Sequence, residues 1–379
     1  MLRSDVIRQR LSNERLLGRL FAKPEEVVEW FGAVQAQDYS GAKWAIGQRL
    51  ERCSDDVVER AFQSGSILRT HVLRPTWHFV RPADIRWMLE LTAPRIKALM
   101  AHYERKHELD AKVFRRSHAI LEKALAGGKH LTREELGRIL GEMGIVAKGE
   151  RLGLLMMRAE LDRVICSGPR LGKKFTYALL DERVPAQRPL GREEALANLT
   201  ERYFKSHGPA LLQDFAWWSG LRVADAKAGV ELLGQRLATR DVDGKSYWFV
   251  PRNAPVKSRA PSLHLLPNYD EYLISYKDYG PIIDSALFEG LGPEDRMFAS
   301  HLVVAHGRVI GGWRRTLDEH TVTLEITLLR ALETDEASAL LKAAERYGKF
   351  LGLKARVAKV LVQRRRRPRR AASSSAARR

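Results

Sequence analysis

The chain has 379 residues, 45% of them hydrophobic, with 65 Lys and Arg against 46 Asp and Glu and a formal net charge of +19. That is enough apolar material for several buried cores, and a charge that suits a polyanionic partner, nucleic acid before an anionic membrane surface. Cys53 and Cys166 stand far apart, which excludes a disulfide scaffold, a zinc knuckle and an iron–sulfur site; with no leader pattern and no apolar run of about 18 residues, the chain reads as cytoplasmic, neither secreted nor membrane-spanning.

In chain order, helices are expected near residues 3–20, 24–35, 41–50 and 54–64. The β-branched and aromatic stretch ILRTHVLRPTWHFV follows as two strands, turning around Leu73 to Pro75. Between the second and third helices lies FGAVQAQDYSGAKW, Phe31 to Trp44. Gln35 and Gln37 stand two apart, so they project together only from an extended or turning backbone. Asp38 follows at once, placed either to cap the next helix or to supply negative charge. The hairpin adds Arg69, His71, Arg74, Thr76 and His78 in alternation, a polar face that can be aimed at a site. His71 and His78 also suit ordinary strand positions beside Trp77 and Phe79.

The order then repeats. Helices near 111–126, 132–143 and 150–162, with Thr132 and Glu135 as a capping box, lead to VICSG and FTYALL around a basic turn holding Lys173 and Lys174. Helices near 192–206, 210–218 and 222–234 lead to LATRDVDGKSYWFV, where Asp243-Gly244 is a two-residue hairpin turn with Lys245 beside it. Three helices and a two-stranded hairpin are the winged-helix plan, in which a helix can enter a DNA groove and the hairpin touches backbone. The turn lysines are candidate phosphate contacts, or simply a solvated basic face.

After Pro251 five prolines within residues 251–281 suggest an ordered connector. Strands follow in MFASHLVVAHGRVIGGWRRTL, which holds Arg314 and Arg315, and in HTVTLEITLLRAL; His306-Gly307 makes a turn and Thr334 caps a last helix. Residues 364–379, RRRRPRRAASSSAARR, carry eight arginines and no acid, leaving +11 of the formal +19 on the body of the chain. The expected architecture is mainly α with β-hairpins, an α+β class: winged-helix units over 1–108, 109–188 and 189–255, a C-terminal α+β unit over 256–358, and a disordered basic tail over 359–379.

No HExxH, no HxE with CxxC, no phosphate loop and no GxSxG elbow occurs, so no metal or cofactor is expected. QAQD after a helix, RPTWHFV about forty residues on, then LLPNYDEYLISYKDYG and HGRVIGGWRRTL together resemble the winged-helix DNA glycosylases of the AlkZ family, over roughly residues 3 to 353. The resemblance implies three tandem winged helices in a C-shaped array with a basic concave face. It also implies an active-site signature of glutamine, aliphatic residue, glutamine, which falls on Gln35, Ala36 and Gln37. A YcaQ-like branch ends that signature in aspartate, so Gln37 looks closer to the branch that unhooks interstrand crosslinks.

The implied activity is a monofunctional DNA glycosylase that hydrolyses the N-glycosidic bond of alkylated purines such as N7-alkylguanine. Its implied partner is double-stranded DNA containing alkylated or crosslinked purines, bound by a nucleoid-associated monomer. Gln35, Gln37, Asp38 and His78 are the expected catalytic set, and Arg69, Arg74, Lys173, Lys174, Lys245, Arg314 and Arg315 the expected DNA contacts. A non-catalytic winged-helix regulator fits the charge and the fold equally well, and in the sequence only the QAQD cluster separates the two.

Overall fold

The computed structural model describes residues 2–251, 263–284, 287 and 301–362. After α1 (Arg3–Asn13), the first unit runs α2 (Pro24–Phe31), β1 (Val34–Gln35), α3 (Tyr39–Gly47), α4 (Asp55–Ser64), β2 (Leu68–His71) and β3 (Trp77–Val80). Pro24 starts α2, Glu25 and Glu26 face its dipole, and Val27, Val28 and Phe31 are its buried stripe. The helix stops at Phe31, short of the expected Gln35, because Gly32 turns the chain left-handed at φ 86°. The freed backbone extends as β1, which pairs with β3 to give the sheet order β1-β3-β2.

The same connectivity recurs in the second unit: α6 (Ala111–Leu125), β4 (Leu131–Thr132), α7 (Arg133–Glu142), α8 (Gly149–Leu161), β5 (Ile165–Ser167) and β6 (Thr176–Leu179), with sheet order β4-β6-β5. The capping box of Thr132 and Glu135 is formed. After α9 (Leu180–Arg183), the third unit has α10 (Arg192–Ser206), α11 (Leu212–Ser219), α12 (Val223–Leu233), β7 (Ala238–Val242) and β8 (Lys245–Phe249). Here a single bridge, Ala210 to Trp248, replaces the short strand. Asp243 and Gly244 both have positive φ, 51° and 74°, as a two-residue turn of the hairpin type requires. Helix, short strand, two helices and hairpin thus occur twice, and a third time with the strand reduced to a bridge, which is the winged-helix order.

Three elements depart from expectation. A 25-residue helix, α5 (Pro82–Lys106), links the first two units, and Pro94 inside it breaks the pattern by which it would be recognised. The stretch after Pro251 is more than a connector, since it contains β9 (Leu263–Leu266) and α13 (Glu271–Ile274). Residues 354–362, partly assigned to the tail, form β13 (Lys354–Val362), whose apolar positions reach a sheet only after α14 (Thr334–Leu351) has carried the chain back. The resulting sheet, β13-β12-β11-β10-β9, includes β10 (Leu302–Ala305), β11 (Arg308–Leu317) and β12 (Thr321–Leu328). It is antiparallel except at β12 and β13, the parallel pair for which a helical crossover is needed. The expected disorder of residues 363–379 lies outside the described residues.

The first unit is packed on both faces. Val34 and Phe79 enter a core shared with the C-terminal sheet and α14, through Leu265, Trp313 and Phe350. Leu68 and Val80 enter another, shared with α5 and the third unit through Met88, Tyr203 and Trp218. The second unit keeps its own core around Leu121, Leu136 and Leu155. Among the described residues, no helix is long and apolar enough to cross a membrane.

Candidate active site

The register of the first sheet sets Gln35 opposite His78 and His78 opposite Thr70. Cross-strand partners share a face, so these three polar side chains form one row, on the side where Leu68 and Val80 meet the third unit. Pairing continues one residue further, with Ala36 N–H donating to the Trp77 carbonyl at 2.7 Å, so the backbone stays extended through Gln35 and Ala36 and bends at Gln37.

Gln35 is 5% exposed; its Nε2 donates weakly to Thr76 Oγ1 at 3.4 Å, and its Oε1 is buried without a partner. The His78 ring is fully buried, with Nδ1 2.9 Å from the Thr76 carbonyl. A carbonyl only accepts, so Nδ1 carries the proton and Nε2, also buried and unpartnered, is left as an acceptor. Burial, helped by the nearby Arg74 guanidinium, pushes the His78 pKa down to about 3, so the ring is neutral. Thr70 Oγ1 completes the row, again without a partner. Each unmet buried polar atom costs about 1–3 kcal/mol, so three along one row are a concentrated demand for hydrogen bonds that a water or a substrate can fill.

Gln37 is exposed, with its Oε1 accepting from Trp77 N–H at 3.4 Å. Asp38 is the N-cap of α3, accepting from Gly41 N–H at 3.1 Å. The backbone N–H of Gln35 donates to Glu271 Oε1 at 2.7 Å, a contact to α13 with no local signal in the sequence. Glu271 also accepts from Trp218 Nε1 at 3.0 Å and Ser275 Oγ at 2.5 Å, and lies 3.5 Å from His207 Nε2. Burial alone would push its carboxyl up, but the contacts to His207 and Ser275 and the Gln35 N–H hold it down to about 2.

The expected DNA contacts divide. Arg74 lies beside the row, 5.6 Å over the ring of Trp217, which is 44% exposed; its Nε and Nη2 are buried and unpartnered, and burial lowers its pKa. Those two donors form the edge of a guanidinium that grips two oxygens at once. Arg69, expected on the DNA face, is instead 8% exposed, stacked 4.3 Å from Trp77 and 4.6 Å from Phe175, and donates to the Ala36 carbonyl at 3.0 Å. It braces the motif from inside. Lys173 is exposed at its turn; Lys174 pairs with Glu134 and Lys245 with Asp278, both at 2.7 Å. Arg314 and Arg315 belong to the C-terminal sheet, Arg314 exposed opposite Glu325 and Arg315 half-buried 5.7 Å from the ring of Tyr347.

A basic chain of repeated helix-and-hairpin units suits DNA as a partner, and the buried row of neutral amide, imidazole and hydroxyl groups offers hydrogen-bonding atoms without a charged nucleophile among them. The comparisons with known proteins place the chain in the class of DNA glycosylases. The AlkZ-like DNA glycosylase family matches residues 28–350, and the chain belongs to that family. It is similar to the interstrand DNA cross-link repair glycosylase of Streptomyces sahachiroi, 27% identical over 342 residues that cover 84% of this chain and 89% of the relative. The solved structure of the S. sahachiroi DNA glycosylase AlkZ superposes with a TM-score of 0.75 over 95% of this chain and 99% of that one, at 24% identity, a likeness of fold. The chain is thus a DNA glycosylase, a DNA-binding hydrolase of N-glycosyl bonds, and the regulator reading falls away.

Proposed function

We propose that this glycosylase excises N7-alkylated guanine and related alkylpurines, interstrand crosslinks among them, from double-stranded DNA, with Gln35 and His78 holding the attacking water. The observation that carries the reading is the pair of unpartnered acceptors, Gln35 Oε1 and His78 Nε2, on directly opposed residues. Two acceptors suit a molecule with two donors. A water that gives one O–H to each keeps its lone pair free for the anomeric carbon. The pair is closed in the free protein, and turning Gln35 off its long contact to Thr76 opens it.

Alkylation at N7 makes the purine cationic, so it leaves without a general acid. As the C1′–N9 bond breaks, its electron pair neutralises the ring; the water oxygen bonds to C1′, and the surplus proton passes to solvent. Neutral groups therefore suffice, because they orient water and solvate an oxocarbenium-like sugar without having to act as strong bases. Gln37, exposed at the bend that follows, stands on the solvent side of the pair. Turned outward, Arg74 would bring its unpartnered edge, buried in the free protein, to a phosphate beside the lesion; the exposed turn lysines would follow the backbone further out, and the C-shaped row of units that the family resemblance implies would let a monomer embrace the duplex in the cytoplasmic nucleoid. The relative's name, which specifies cross-link repair, supports this substrate class.

The test is single-turnover release of 7-methylguanine from DNA at matched occupancy by wild type, Gln35→Ala and Gln37→Ala. Gln35→Ala should lose on the order of 10- to 1,000-fold in maximal rate, and Gln37→Ala less, with DNA affinity retained. Equal rates for all three would assign the glutamines to the bend alone.

A further inference from the structure

Four donors or ring atoms converge on one buried carboxylate directly behind Gln35. The Glu271 side chain is 1% exposed and meets Gln35 N–H from the first unit, Trp218 Nε1 and His207 from the third, and Ser275 Oγ from its own turn. Its neighbour Asp270, also 1% exposed, receives Arg49 Nη1 and Nη2 at 2.9 Å each, from just beyond the end of α3. Asp270 and Glu271 thus fasten the start of α13 to both flanks of the QAQD segment, Arg49 beyond α3 and Gln35 before it.

We infer that Glu271 is a positioning residue for excision: it fixes the β1 backbone so that the Gln35 amide stays in line with His78, an assignment that rests on the proposed role of Gln35. An antiparallel strand only two residues long has few ladder bonds of its own, and a rotation at Gln35 would swing Oε1 away from its partner atom. The chemistry requires a carboxylate. An acceptor-only group can receive all these donors, whereas an amide has one acceptor oxygen and turns its own N–H groups on Gln35 N–H or Trp218 Nε1.

A double-variant cycle tests this, using the full chain with wild type, Glu271→Gln, Gln35→Ala and the two combined. It reads single-turnover 7-methylguanine release, DNA affinity and the thermal unfolding midpoint. Glu271→Gln should lower the maximal rate on the order of 10- to 100-fold without weakening DNA binding, and should add nothing to Gln35→Ala, whose backbone N–H remains but whose side chain has gone. Loss by the same factor in both backgrounds would mean that Glu271 acts elsewhere and would overturn the inference, as would an unchanged rate for the single variant. If Glu271→Gln does not fold, Ser275→Ala removes one donor from the carboxylate and should give the same non-additive pattern on a smaller scale; additivity there is equally fatal. Wild-type rates in Gln35→Ala would overturn the role of Gln35 itself, a result visible apart from the Glu271 arms.

Discussion

At the scale of single residues, the site works with groups whose charge does not change in the physiological range. His78, depressed from 6.5 to about 3, stays neutral as the pH falls through the ordinary imidazole range, and Glu271, at about 2, stays ionised. The maximal excision rate should therefore be flat between roughly pH 5 and 6.5 at saturating enzyme, and a fall centred near 6 would mean that His78 protonates at its ordinary value. The sign for stability is separate. Below 6.5 the unfolded chain takes up a proton that folded His78 refuses, so this residue's contribution favours unfolding increasingly as the pH drops toward 3. Gln35 was legible as a candidate because two glutamines around one small residue are unusual. Glu271 was not, because its contact to Gln35 spans 236 residues of sequence and is made by a buried carboxylate indistinguishable, in the string, from a surface one.

At the scale of elements, local chemistry was readable and distant pairing was not. Asp243-Gly244 names its own turn, and Thr132 with Glu135 its own cap, because each needs only its neighbours. The strand Lys354–Val362 takes its meaning from β12, and the extended path of β1 from His78 and Phe79. Asp38 belongs to the readable kind. Its contact with Gly41 N–H makes it the cap of α3, and the cap decides where QAQ ends and helix begins. Asp38→Asn keeps a good capping group without the charge, so it should retain near-wild-type stability and excision, whereas Asp38→Ala should lose about 1 kcal/mol by denaturant unfolding. An Asn variant that folds normally yet excises far more slowly would make the Asp38 charge part of the chemistry.

At the scale of the whole molecule, charge and site are separable. The eight arginines of residues 364–379 add to a body that is already basic. Each phosphate neutralised contributes about 0.9 to the slope of log affinity against log salt, so truncation after Gln363 should flatten that slope by several units. Single-turnover excision at saturating enzyme should not change; a fall to background would give the tail a part in chemistry. The first unit, by contrast, cannot be separated from the rest, because its two faces lie in cores shared with the third unit and the C-terminal sheet. Time enters here as well as space. During synthesis the ribosome delivers QAQD early and Glu271 only after another 236 residues, so a growing chain displays its glutamines long before their anchor exists. If Glu271 positions Gln35 as inferred above, fragments released by premature termination would carry the glutamines without their anchor and should leave alkylated purines in place.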